Sequence, residues 1–367
     1  MPTPRATTKP CAIDSTARSV AIVGAGVSGL STAIQLSEAG FDVSIISGQT
    51  PSETTSAVAA AFWYPFRVGG YRRSWASISY STFLSLKGIE EAGVSTCRSI
   101  EYIDLEDDDA QEEIRGHWWR HLPGIEYQYK GDEPIATTFG DADDLRGELT
   151  FHHKVSFTVP VINMGVYLSY LEKWYAEVSG RKIEYRWCDD LGELSKRYDY
   201  VVNCAGYGAR ELVGDEEVKA ISGQLVRIDG VSPGAALVFL QTGRFANAPV
   251  YIVPRHSGSQ DTVLGGSLIE QIGYPARKDL PDFNPALSAM IRRRCEAFDP
   301  KLARRDVASE VVGLRPYRST MRLEWCKQHS KKLIHNYGHG GGGVTLSWGC
   351  AARVCEMIED AEATRSA

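Results

Sequence analysis

The sequence predicts an α/β chain in which one βαβ-type domain is assembled from both ends of the polypeptide and interrupted by a β-rich second domain. Three observations carry this. Near the N-terminus a run of β-formers, Val20 to Val23, leads directly into Gly24, Gly26 and Gly29, and the helix-patterned Ser31 to Ala39 follows. Near the C-terminus a strand, Lys332 to Asn336, enters the glycine run 338–343 and then a helix-patterned stretch, Thr345 to Ala361. The segments between are helix-poor and strand-rich. Apolar runs that switch to helical spacing across glycine turns are the signature of a doubly wound sheet.

Taken in order, residues 1–18 are polar, carry Pro2, Pro4 and Pro10, and read as a disordered tail without the apolar core of a signal peptide. The first strand and its turn then give the spacing G-x-G-x-x-G. Gly24 permits the tight turn, Gly26 lets backbone approach a pyrophosphate, and Gly29 lets helix and strand pack. The helix start presents its N–H groups to phosphate. The turn therefore makes Gly24, Ala25, Gly26, Val27, Ser28 and Gly29 candidate contacts of a dinucleotide in a Rossmann-like unit. A second strand, Phe41 to Ile46, ends in Ser47-Gly48-Gln49. An Asp or Glu often stands there to hold the ribose hydroxyls. Its absence leaves Ser47 as the candidate, and the lack of an Arg argues against NADP. The turn alone does not separate NAD from FAD.

Residues 51–61 are small and hydroxyl-rich. The spacing predicts a helix over 70–97, strand-like pieces over 98–155, and a second helix from Val161 to Val178 stopped by Gly180. Ile183 to Trp187 reads as a strand, as does Tyr198 to Gly206. Further strands are Gln224 to Ile228, Tyr251 to Val253 and Thr262 to Leu264, with a helix from Pro285 to Phe298. The cofactor-binding domain is expected over 19–67, 155–220 and 312–362, and a substrate and interface domain over 68–154 and 221–311. A cleft between them is the default ligand site.

The bulk numbers narrow the classes. The chain has 367 residues, is 43% hydrophobic and has a formal net charge of −6. Length and apolar content suit two domains. The charge gives no reason to expect nucleic acid or a membrane surface, and no run approaches the ~20 apolar residues of a spanning helix. The eight cysteines are scattered without a C-x-x-C, which points to a reducing cytoplasm. His152 and His153 are adjacent and point apart on a strand, so no metal site is expected.

Four separated motifs are more specific: Val23 to Leu30, Val58 to Pro65, Gly313-Leu-Arg-Pro-Tyr-Arg318, and His335 to Thr345. With them the sequence resembles the FAD-dependent D-amino-acid oxidases, within the larger glycine and sarcosine oxidase group, over nearly all of residues 19–362. The resemblance implies FAD as cofactor. It places Thr54, Thr55, Ser56, Ala59, Ala60 and Ala61 near the pyrophosphate and flavin, and Gly206 near the adenine half. It sets Gly340, Gly341, Gly342, Gly343, Val344 and Thr345 along the flavin edge. N–H donors at a helix start suit a reduced flavin, which carries negative charge. By the same resemblance Arg315 grips the substrate carboxylate with two parallel donors. Tyr251 contacts that carboxylate too, Gly342 offers its carbonyl to the amine, and Phe62 and Tyr64 line the pocket.

Two departures stand out. Asn247 occupies the place of a second tyrosine on a lid spanning 239–248, and Ser267 stands where relatives acting on acidic substrates tend to place an arginine. The implied reaction is oxidative deamination: hydride passes from Cα to flavin, the imine hydrolyses to a 2-oxo acid and ammonia, and dioxygen yields hydrogen peroxide. Hydride transfer needs no general base, and none is assigned; His339 reads as structural or as a flavin-edge residue. The expected partners are a D-amino acid, neutral or bulky rather than acidic, and dioxygen. A homodimer is left open. A glycine- or sarcosine-type amine oxidase and an oxidase of a secondary-metabolite amino acid are the alternatives. Beyond them stand an inert FAD binder and an NAD-linked dehydrogenase.

Overall fold

The computed structural model describes residues 17–65, 72–103, 126–129, 135–139, 147–151, 153–231, 237–240, 249–257, 260–275, 281–327 and 332–366. The predicted tail up to residue 16, Asn247 and most of the predicted lid lie outside these.

Strand β1 (Ser19–Val23) pairs in parallel with β2 (Asp42–Ser47) on one side and β9 (Tyr200–Asn203) on the other. β2 carries the short β8 (Glu184–Tyr185) at the edge, and β9 pairs in parallel with β16 (Leu333–His339). The two ends of the chain therefore meet in one parallel block. Strands of this kind are buried on both faces. Val20 and Ile22 of β1 pack toward helices α1 (Val27–Glu38), α3 (Met164–Ser179) and α7 (Gly343–Ser366), among Leu30, Ile34, Tyr167 and Trp348. Ala21 and Val23 point the other way, toward Leu191 and Leu194 of α4 (Leu191–Arg197). Each such aliphatic side chain stabilises the fold by about 1.5–3 kcal/mol. The loop after β9 carries a one-turn helix, α5 (Ala209–Leu212).

β16 then pairs antiparallel with β15 (Val307–Trp325), and through it the sheet continues into a mixed, mainly antiparallel half. Its order is β15, β10 (Lys219–Asp229), β13 (Asp261–Gly265), β12 (Val250–Pro254), β11 (Leu237–Leu240), β3 (Val94–Ile103), β7 (His153–Ile162) and β4 (Glu126–Tyr129). β14 (Ile269–Gln271) pairs off the path with β10, and β5 (Ile135–Phe139) and β6 (Gly147–Phe151) form a separate hairpin. Helix α6 (Pro285–Phe298) covers this half with Ile291 and Cys295 against Val226, Ile252 and Leu264. Asn284 caps it by accepting from the backbone of Ala286 and Leu287, and Pro285 sits at its first position, where a missing N–H costs nothing.

Several expectations are corrected. The helix predicted over 70–97 is α2 (Arg72–Leu86) and stops there. Gly88 and Gly93 adopt φ of +96° and +64°, which a continuing helix cannot use, and the β-branched stretch after Gly93 is strand β3. The strand expected over 183–187 shrinks to the two residues of β8, and the last helix begins at Gly343 and runs to Ser366. Residues 155–162, grouped by sequence with the cofactor part, pair with β3 in the other half. The expected boundary at 311/312 falls inside β15, which pairs with β10 along its first part and with β16 along its last.

Among the described residues, seven cysteines are buried, and no group of His, Cys, Asp or Glu is placed to hold a metal. No described helix is long and apolar enough to cross a membrane.

Candidate active site

A cavity of about 1350 Å³ lies at the carboxyl ends of the parallel strands, where β1, β2, β9 and β16 run into their turns. This is where ligands bind in doubly wound sheets. The β1 turn borders it through Gly24, Ala25, Gly26, Val27 and Ser28. Gly29 does not. A Cβ there would lie 1.9 Å from the Gly24 carbonyl oxygen, so its hydrogen is what lets α1 sit on the strand. Gly24 adopts φ +110°, and a Cβ on it would lie 2.6 Å from the carbonyl oxygen of Cys204. On the opposite side Gly340 to Thr345 border the same space, and Gly206 lines it after β9. Neither α1 nor α7 carries an acidic residue in its first turn. Two helix N-termini, each with roughly half a positive charge, thus flank one cavity and favour an anionic occupant.

The segment 54–65 forms the connecting wall, with Thr54, Thr55, Ser56, Ala59, Ala60, Ala61, Phe62 and Tyr64 on the cavity. Its hydroxyls hold the wall together. Ser56 Oγ accepts from Val27 N at 3.0 Å, and Thr54 Oγ1 donates to the Pro51 carbonyl at 2.7 Å. Thr345 Oγ1 donates to the Tyr64 carbonyl at 3.0 Å and accepts from its N–H at 3.2 Å, which ties the wall to α7. Ser47 also borders the cavity, and its hydroxyl donates to the Gln49 carbonyl at 2.7 Å. Small residues and backbone dominate this end, a fit to a flat cofactor that lies close to main chain.

At the other end the sheet order β12, β13, β10, β15 sets Tyr251 and Arg315 three strands apart. They meet because glycines lie beneath them. A Cβ on Gly265 would fall 2.1 Å from Tyr251 Cζ, and one on Gly223 would fall 2.1 Å from Arg315 Nη1. Both side chains therefore lie flat across the neighbouring strand. Arg315 Nη2 donates to Tyr251 Oη at 3.4 Å, and its Nη1 donates to the Ser267 carbonyl at 3.0 Å. Burial pushes the Tyr251 phenol up from its ordinary value, and the Arg315 guanidinium opposes that rise. Phe62 stands beside Tyr251 with ring centroids 6.3 Å apart, and Tyr64 follows at 6.1 Å from Phe62. A cationic fork, a phenol and an aromatic wall suit a small carboxylate with an apolar body.

His339 borders the cavity within the glycine run and is half-buried, its Nε2 3.1 Å from Asn336 Oδ1. Burial lowers its imidazole to about 4, so it is neutral near pH 7. Asp215 braces the β15–β16 junction. Its carboxylate accepts from Arg318 Nε at 3.1 Å, Arg322 Nη1 at 3.3 Å and Tyr337 Oη at 2.7 Å.

Sequence reasoning missed Glu101 and Trp187. Glu101 is 2% exposed and accepts from Tyr64 Oη at 2.6 Å. It shares a sheet face with Tyr251 across β11, but the alternation around it sets the apolar Ile100 and Tyr102 on the opposite face, so the sequence gives it no inward signal. Trp187 borders the cavity at the far end from a connection with no motif.

The family model described as FAD dependent oxidoreductase (DAO) matches residues 19–357. A D-amino-acid oxidase of Rubrobacter xylanophilus is 38% identical over 92% of this chain and 94% of its own length. One from Streptomyces coelicolor is 32% identical over 92% and 96%. Among solved structures, a glycine oxidase from Geobacillus kaustophilus superposes with a TM-score of 0.70 at 17% identity, over 94% of this chain and 95% of that one. That last likeness concerns the fold. With strand ends, glycine turns and paired helix starts arranged around one cavity, the chain belongs to the DAO family of FAD-dependent oxidoreductases.

Proposed function

We propose that the chain oxidises D-amino acids with FAD, giving a 2-oxo acid, ammonia and hydrogen peroxide. The observation that carries this reading is the Arg315–Tyr251 pair, laid over Gly223 and Gly265 at one end of the cavity whose other end is the glycine turn. In this reading Gly24–Ser28, Ser47, Thr54–Ser56, Ala59–Ala61, Gly206 and Gly340–Thr345 line the FAD site, and Gly29 shapes it from behind. Bound FAD supplies the two-electron acceptor. Arg315 and Tyr251 hold the α-carboxylate, and the Gly342 carbonyl takes the amine. With carboxylate and amine fixed, the position of the side chain decides which enantiomer presents its Cα hydrogen. Relatives named D-amino-acid oxidase at 38% and 32% identity support the D form. Positioning and the two helix starts supply the catalysis, and no general base takes part.

Neutral or bulky side chains are preferred to acidic ones. Ser267 is 3% exposed, its hydroxyl accepts from the Gln224 backbone at 3.0 Å, and no cation stands at that position for a second carboxylate.

The test is peroxide release from a panel of neutral and acidic D- and L-amino acids, glycine and sarcosine, with Arg315→Ala alongside. D-specific release is expected from wild type. The variant should keep its flavin and lose about 100-fold in kcat/KM, some 2.7 kcal/mol of transition-state binding. Release from L substrates alone, or near-normal kcat/KM in the variant, overturns the reading.

A further inference from the structure

We infer that Trp187 forms the aromatic wall against which the adenine ring of FAD packs, which makes it one of the residues that select a dinucleotide flavin over a mononucleotide. This rests on reading the cavity as the FAD site.

The usual holder of the adenosine half is a carboxylate at the end of β2. Here that end is Ser47-Gly48-Gln49, and its polar groups are turned inward on the chain. Ser47 Oγ donates to the Gln49 carbonyl at 2.7 Å and accepts from the Gln49 N–H at 3.3 Å. The nearby Glu53 accepts from Thr50 N and Thr50 Oγ1, both at 2.8 Å, in a capping box. What stands beside the end of β2 instead is an indole. β8 pairs with β2 through Ile46↔Glu184 and Ser47↔Tyr185, so the chain two residues on from Tyr185 comes alongside Gly48. A Cβ on Gly48 would lie 2.2 to 2.5 Å from Trp187 Cδ2, Cε3 and Cε2, so the six-membered ring rests directly on the glycine. Trp187 nonetheless remains 46% exposed and borders the cavity. An indole fixed by backbone on one side and open to a binding cavity is a platform for a flat heterocycle, and base–aromatic stacking requires no hydrogen-bond readout. Its place next to β2, one strand over from the glycine turn, is where the adenosine half of a dinucleotide extends.

Apoprotein titrated with FAD and with FMN, read by flavin fluorescence, tests this. Trp187→Ala should weaken FAD about tenfold and leave FMN unchanged, since FMN has no adenine. Trp187→Phe should keep most of the FAD affinity. Gly48→Ala should reproduce the alanine effect from the other side, because its methyl displaces the indole. The inference is overturned if Trp187→Ala binds FAD as tightly as wild type, or if FAD and FMN weaken by the same factor. Wild-type protein that takes up no FAD at all sinks the parent reading and this one with it. Tight wild-type binding with indifferent variants sinks this one alone.

Discussion

The two ends of the cavity use glycine for different reasons. At the β1 turn, Gly24 and Gly29 are needed because backbone meets backbone: their missing methyl groups would fall on carbonyl oxygens at 2.6 and 1.9 Å. At the β-rich end, Gly223 and Gly265 are needed because side chains cross above them: their missing methyl groups would fall on Arg315 and Tyr251. The first arrangement has nowhere to relax. The second can relax by moving a long side chain. Glycines of the first kind should therefore govern whether the protein exists with cofactor, and those of the second kind how well it works.

The largest effect that would break this contrast belongs to Gly29→Ala. A destabilisation of about 3 kcal/mol in denaturant unfolding, with protein recovered largely without flavin, is expected. If that variant is as stable and as yellow as wild type, the backbone contact has been misjudged. Next comes Gly223→Ala. Stability and flavin content should stay near wild type while kcat/KM falls about 100-fold, because the guanidinium is pushed off its position. Loss of flavin in this variant would erase the distinction between the ends.

The smallest effect concerns His339. Its folded-state value near 4 lies below the ordinary 6.5 because burial disfavours the charged form. Between those values the unfolded chain binds a proton that the folded chain does not. The contribution of this group to stability is therefore fully present above about pH 6.5 and is lost as the pH falls toward 4. Thermal melts across that range should show the decline in wild type and a flatter profile in His339→Gln.

The same contrast explains what could be read in advance. Gly24, Gly26 and Gly29 were legible because their reasons are local: strand, turn and helix follow one another within about twenty residues. The end of α2 is hidden for a local reason too: aliphatic residues keep helical spacing past Leu86, while the positive φ of Gly88 and Gly93 ends the helix. The β-rich end was not legible from spacing. Arg315 and Tyr251 are 64 residues apart and meet only through the order of four strands and the glycines between them. Only the family resemblance points to them. Glu101 and Trp187 had neither a local signal nor a motif. Each is placed by a partner distant in sequence: Tyr64 in one case, Gly48 in the other.

Strand β15 gives this arrangement a historical consequence. It holds one unbroken register with β10 from Ser309 to Tyr317, and Arg315 faces the cavity only in that register. A single inserted or deleted residue in this span would turn Arg315 to the opposite face of the sheet. Lineages descended from this sequence can exchange side chains around the cavity other than those that hold cofactor and carboxylate, but changes of length must accumulate in the loops at the rim. New substrate ranges should therefore arise here by substitution and loop growth, with the stretch from Ser309 to Tyr317 inherited at constant length.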